Sequence, residues 1–167
     1  MHKQRYLTLF CLLISCCFSL NSYAQEWRKE PLTTNDQTFM AKQRDSIDEL
    51  TRRHFGRQLT GKKDNDFALM QRLLDEKIIK PEQVVLLQAM GVILGNVLKE
   101  HEGLSWVIYI DRYGRSRALD VPGKRDVVFP ITMISRRYET GGEVNIEQLY
   151  QKAVASVATI KKQIIVY

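Results

Sequence analysis

Hydrophobic and polar positions change rhythm partway along this chain. Between Thr34 and His54, Met40, Ile47, Leu50 and His54 recur at helical spacing, and Gly56 follows as a natural terminator. Thr34 with Gln37 supplies a capping pair for this first helix. A polar connection, residues 61–66, leads into a second helix with Phe67, Met70 and Leu74 on one face and acidic caps in front. Pro81 suits the first position of a third helix that runs to about Glu100.

The third helix is apolar almost all round. Val84, Leu87, Gly91, Leu94 and Leu98 make one stripe, and Val85, Met90, Ile93 and Val97 fill much of the rest. A helix without a polar face is a core helix. Gly91 and Gly95, one turn apart, let another segment come close to its backbone. The same spacing favours membrane dimers, but Gln88 and Asn96 interrupt the run, so a core role is expected.

From Trp106 the pattern becomes that of strands. Residues 106–110 are β-branched and aromatic. Asp111 and Gly114 occupy the first and fourth positions of a type I turn, and residues 116–121 return. Pro122 and Gly123 suit a type II turn, and Val127, Val128 and Phe129 make a third strand. Pro130 starts a short helix with Ile131, Ile134 and Tyr138 on one side, ended by Gly141 and Gly142. Asn145 caps the last helix, Gln148 closes the box and Val144 staples onto Leu149. Ile146, Leu149, Ala153, Val157, Ile160 and Ile164 continue its apolar face. The pattern predicts an α+β fold: three helices, a three-stranded antiparallel meander, and two C-terminal helices packed on one sheet face.

The chain has 167 residues, 44% of them hydrophobic and 26% charged, which suits one folded domain rather than a disordered or polytopic membrane chain. Residues 34–167 are expected to form that domain, and residues 25–33, with Pro31 and no period, a mobile lead-in. Residues 1–24 read as a secretory signal. Lys3 and Arg5 precede a short apolar run, and Ser22 and Ala24 sit where a signal peptidase reads. The expected location is periplasmic or secreted. Leu13, Ile14, Ser15 and Cys16 also resemble a bacterial lipobox, so a membrane-anchored lipoprotein acylated at Cys16 is the alternative. All three cysteines, Cys11, Cys16 and Cys17, precede the expected cleavage point, so the mature soluble domain would hold no disulfide and no thiol nucleophile.

Residues 91–95 (GVILG), Trp106 and Val107, residues 111–115 (DRYGR) and residues 129–137 (FPITMISRR), in this order and spacing, resemble a bacterial family catalogued only as domain of unknown function 3806. The resemblance covers roughly residues 65–155 and implies a shared fold. It implies no reaction, ligand or catalytic residue.

Catalytic templates find little purchase. His54, on the apolar stripe of the first helix, reads as a core or boundary residue, and His101, at a helix end, as a dipole partner. No zinc motif, nucleophile elbow or phosphate loop is present in the sequence, and neither a metal nor a cofactor is expected. Asp111, His101 and Glu102 are the weak catalytic candidates, for a hydrolase of the carboxylate type, with Glu100 as a further carboxylate near the first strand. Solvated helix-end charges are the plainer explanation. Asp111 and Arg136 could form an ion pair, although Asp111 capping its own turn is favoured. Trp106 and Tyr109 are expected to pack rather than to bind a ligand.

Charge localises more sharply. The formal net charge is +6. Residues 25–103 hold 13 basic and 13 acidic residues, and residues 138–167 hold 3 of each. Residues 104–137 hold 7 basic and 3 acidic residues, which is the whole excess outside the signal. Arg112, Tyr113, Arg115, Arg117, Arg136 and Arg137 are therefore the candidate partner-binding residues. Arg115 and Arg117 share strand parity and should face one way. A charged, edge-protected hairpin is the structural alternative. Nucleic acid is not an expected partner, because the excess is small and no recognition motif accompanies it. The sequence favours an exported, non-catalytic interaction module, such as an inhibitor, an immunity-like factor or an assembly accessory. Its expected partner is an acidic protein or an anionic envelope polymer, with membrane contact only if Cys16 is lipidated.

Overall fold

The computed structural model describes residues 27–163. The expected signal and lipobox, residues 1–24, and the apolar position Ile164 lie outside that range. The elements are β1 (Arg28–Pro31), α1 (Thr34–Phe55), α2 (Lys63–Asp75), α3 (Val84–Glu102), β2 (Ser105–Asp111), β3 (Gly114–Asp120), β4 (Val127–Val128), α4 (Ile131–Glu139) and α5 (Ile146–Lys162). Helices flank an antiparallel sheet in sequence, as the α+β pattern predicts.

The sheet has four strands rather than three, in the order β1-β2-β3-β4. The added strand is the segment expected as a mobile lead-in. Four residues are too few to display a period, and Pro31 is tolerated because β1 is an edge strand. Arg28 pairs with Ile110 and Pro31 with Val107. Lys29 reaches past β2 to Asp120 of β3 at 2.5 Å and to the Lys124 carbonyl at 2.6 Å.

Local chemistry sets the helix ends. The cap of α1 sits one residue earlier than the Thr34–Gln37 pairing: the Asp36 N–H donates to Thr33 Oγ1 at 3.2 Å, and the Thr33 N–H donates to Asp36 Oδ2 at 3.0 Å. Gly56 ends α1 at φ +62°, a left-handed conformation that costs glycine little. Asp66 does not cap α2; it accepts from the Thr60 and Gly61 N–H groups of the preceding turn at 2.8 and 3.0 Å. Pro81 lies in a turn before α3 rather than within it. The Gln83 N–H donates to the Lys80 carbonyl at 3.0 Å, while the Gln83 side chain accepts from the Lys80 N–H at 2.8 Å. Asn145 caps α5 as expected, accepting from the Gln148 N–H at 2.9 Å.

α3 runs through the core. Leu87, Met90, Leu94 and Leu98 are fully buried with Ile47 of α1, Met70 and Leu73 of α2, Ile134 of α4 and Val157 of α5. By length and composition α3 could cross a membrane, but it packs here on α1, α4 and α5. Its two glycines explain the tightness. A Cβ on Gly91 would lie 2.4 Å from the Ile131 carbonyl oxygen, and one on Gly95 would lie 2.4 Å from the Trp106 ring. The Trp106 ring thereby comes up against α3 at Gly95, and its Nε1–H donates to Asn96 Oδ1 at 2.9 Å. The polar interruption Asn96 thus serves the packing of the first long strand. His54, expected at the boundary of the core, is exposed near the end of α1, where the helix turns away from the apolar face.

Candidate functional site

Arg115 and Arg117 of β3 pair with Ile110 and Ile108 across the sheet, so both face the side that carries α1. That places them against the first turn of α1. The Arg115 Nη1 and Nη2 groups donate to the two Asp36 carboxylate oxygens at 3.0 and 2.6 Å. Arg117 donates from Nε to Asp36 Oδ1 at 3.1 Å, with Nη2 at 2.8 Å. The Asp36 side chain is 3% exposed, against 45% for Arg115 and 24% for Arg117. The Arg115 guanidinium holds the Asp36 carboxyl well below the usual carboxylate range; Thr33 donors act the same way, and burial opposes them. Asp36 in turn pushes the Arg115 guanidinium up. Arg117 also lies over the Phe39 ring, 4.3 Å from its centroid. Two arginines expected on the partner surface therefore also anchor α1 on the sheet, through a carboxylate 79 positions before Arg115 and 81 before Arg117.

The other candidates separate in the same way. Arg112 folds over its neighbour, with its guanidinium 4.7 Å from the Tyr113 ring centroid. Tyr113 itself is 81% exposed at the hairpin tip. Asp111 caps its own turn, accepting from the Tyr113 N–H at 2.8 Å, and makes no ion pair with Arg136 among the described residues. Glu102 pairs with Lys161 at 3.0 Å. His101 Nδ1 lies 2.9 Å from the Tyr150 hydroxyl, whose ionisation burial pushes up. Asp111 and the His101–Glu102 pair stand at opposite ends of a seven-residue strand, about 20 Å apart. The three catalytic candidates are not brought together. No group of three or more His, Asp or Glu side chains able to hold a metal occurs among the described residues.

Arg136 and Arg137 differ from Arg115 and Arg117. Both are exposed in the last turn of α4, and neither has an ion-pair partner among the described residues. Two open grooves meet at Arg136. One, of about 540 Å³, runs between β4, α4 and α5; Val128, Met133, Leu149 and Ala153 line it, with Arg136, Arg137 and Lys152 among its cations. The other, of about 510 Å³, runs toward the hairpin tip past Asp111, Tyr113, Ser116 and the two clamping arginines, Arg115 and Arg117. Phe129, Thr132 and Arg136 belong to both. Each volume falls in the range of ligand-binding clefts.

Sequence reasoning missed Asp36 as the buried partner of Arg115 and Arg117, and Phe129, Thr132 and Lys152 as parts of the groove surface. Asp36 carried one signal, the Thr33–Asp36 capping spacing, obscured by the competing Thr34–Gln37 pair. Lys152 carried none, being one lysine on a helix of balanced charge.

Comparison with known proteins adds the family and the fold. A family model described as "Domain of unknown function (DUF3806)" matches residues 66–150. That stretch includes Arg115, Arg117, Arg136 and Arg137 but neither Asp36 nor Lys152. A crystal structure of a protein from Bacteroides thetaiotaomicron VPI-5482 superposes with a TM-score of 0.71 at 17% identity. The likeness covers 81% of this chain and 50% of that one, so this chain spans about half the length of the solved protein. At that identity the likeness shows the fold alone. No curated protein matches.

Proposed function

The chain belongs to the DUF3806 family of domains of unknown function, and from that premise we propose that it is a non-catalytic envelope module that binds an anionic partner around α4. One observation carries this reading. Arg136, Arg137 and Lys152 have no carboxylate partner among the described residues, yet they flank a groove with an apolar lining. Unpaired guanidinium groups remain free to take carboxylates in a two-pronged fashion. Arg115 and Arg117 line the adjoining groove and fix the hairpin to α1. An acidic protein fits these chemical features, with the protein acting as an inhibitor, an immunity-like factor or an assembly accessory.

Fluorescence anisotropy with a labelled oligoglutamate peptide tests the reading. Arg136→Glu combined with Arg137→Glu should lose most of the binding at low salt. Lys42→Glu combined with Lys62→Glu, which makes the same charge change at exposed sites on α1 and just before α2, should keep it. Equal loss in both pairs would reduce the surface to bulk charge. The envelope location rests on the pattern of residues 1–24. The mass of the mature N-terminus tests it: a free Gln25 supports soluble export, an acylated Cys16 the anchored form, and an intact Met1 neither.

A further inference from the structure

We infer that the segment bound at α4 is an acidic peptide carrying one bulky apolar side chain, seated in the groove between β4, α4 and α5. This inference rests on the anionic-partner reading above and names the partner's chemistry. The groove has two chemistries at once. Its floor is Val128, Met133 and Ala153, and its cations are Arg136, Arg137 and Lys152. A purely charged polymer would leave that floor wet. An apolar side chain between carboxylates meets both demands, because burying it against the floor adds a hydrophobic gain to the ion pairs.

The shape favours a peptide over a lipid anion. The groove is open to solvent, so an acyl chain lying in it would keep one side in water. A peptide needs to bury only its anchor, and its backbone stays outside. The second groove, sharing Phe129, Thr132 and Arg136, gives the same segment a continuation toward the hairpin tip. Arginine forks suit the flanking carboxylates.

The test uses the full chain and short labelled peptides of equal net charge, one with only Glu and Ser, the other with a central Phe. The Phe peptide should bind about tenfold tighter, the gain from one largely buried aromatic side chain. Ser156→Trp fills the groove from an exposed position on α5. It should erase the Phe advantage and leave the Glu–Ser peptide unaffected, with unchanged circular dichroism. Equal affinity for the two peptides would overturn the anchor while leaving the anionic-partner reading intact. Binding of neither would overturn both. Vesicles containing phosphatidylglycerol that displace the Phe peptide, and that Ser156→Trp no longer binds, would assign the groove to lipid and overturn the peptide.

Discussion

Arg115 and Arg117 on β3 and Arg136 and Arg137 on α4 lie within the same short basic stretch, but only the first pair has an internal carboxylate. The β3 pair converges on one buried carboxylate, Asp36, and Arg117 also stacks on Phe39. The α4 pair points outward beside an apolar groove without an ion-pair partner among the described residues. The contrast teaches that an excess of arginine on a surface marks a binding site only after the internal carboxylates have been assigned. A half-exposed guanidinium can be a structural clamp when its partner comes from a distant helix.

The strongest way to break the contrast is to move α4 itself. Gly91→Val forces a side chain into the Ile131 backbone. It should cost about 3 kcal/mol or more in urea unfolding, as overpacking against an unyielding main chain does. It should also displace Arg136 and Arg137 without touching the Asp36 clamp. Next is Asp36→Ala, which removes both the clamp and half of the α1 capping box. About 2 kcal/mol should be lost in the same measurement. Oligoglutamate should then bind more tightly, because Arg115 and Arg117 are released. Weaker binding would show that the β3 pair acts on the ligand only through position.

Acid should reproduce a smaller part of the Asp36→Ala loss. The folded-state pKa of Asp36 is depressed, so its stabilising contribution is full above the ordinary carboxylate pKa near 4 and is lost as pH falls below that, toward the folded value. Urea midpoints measured downward from pH 6 should fall for the wild type and fall less for Asp36→Asn. The smallest effect belongs to the α4 pair. Arg136→Ala with Arg137→Ala should change stability by no more than about 0.5 kcal/mol, since exposed unpaired charges contribute little to folding. A larger loss would mean that the α4 arginines are clamps too.

Much of the fold could be read from the chain because its signals are local. The Asn145 cap, the Pro122–Gly123 turn and the Asp111 turn each rest on residues a few positions apart, and the structure has all three. Gly91 and Gly95 announced a close approach, though not that Ile131 and Trp106 would make it. β1 escaped notice because its identity as a strand comes from pairing with β2, far along the chain, and not from its own four residues. The site was half legible for the same reason. Arg136 and Arg137 were found by charge alone, whereas the different fate of Arg115 and Arg117 depends on Asp36, 79 positions away. The apolar floor beside α4 is assembled from three elements, and no one of them displays it.

The late pairing of β1 also carries a kinetic meaning. β2 and β3 meet through a two-residue turn and can zip on the microsecond scale. β1 must close a loop through all of α1, α2 and α3 before it finds β2, and the Lys29–Asp120 pair spans 91 positions. Loop closure over such a distance is slow, and an edge strand of four residues returns little for it. β1 should therefore dock after the β2–β3 hairpin and open before it. In amide exchange, Arg28 to Glu30 should lose their protons well before the β2–β3 hairpin does.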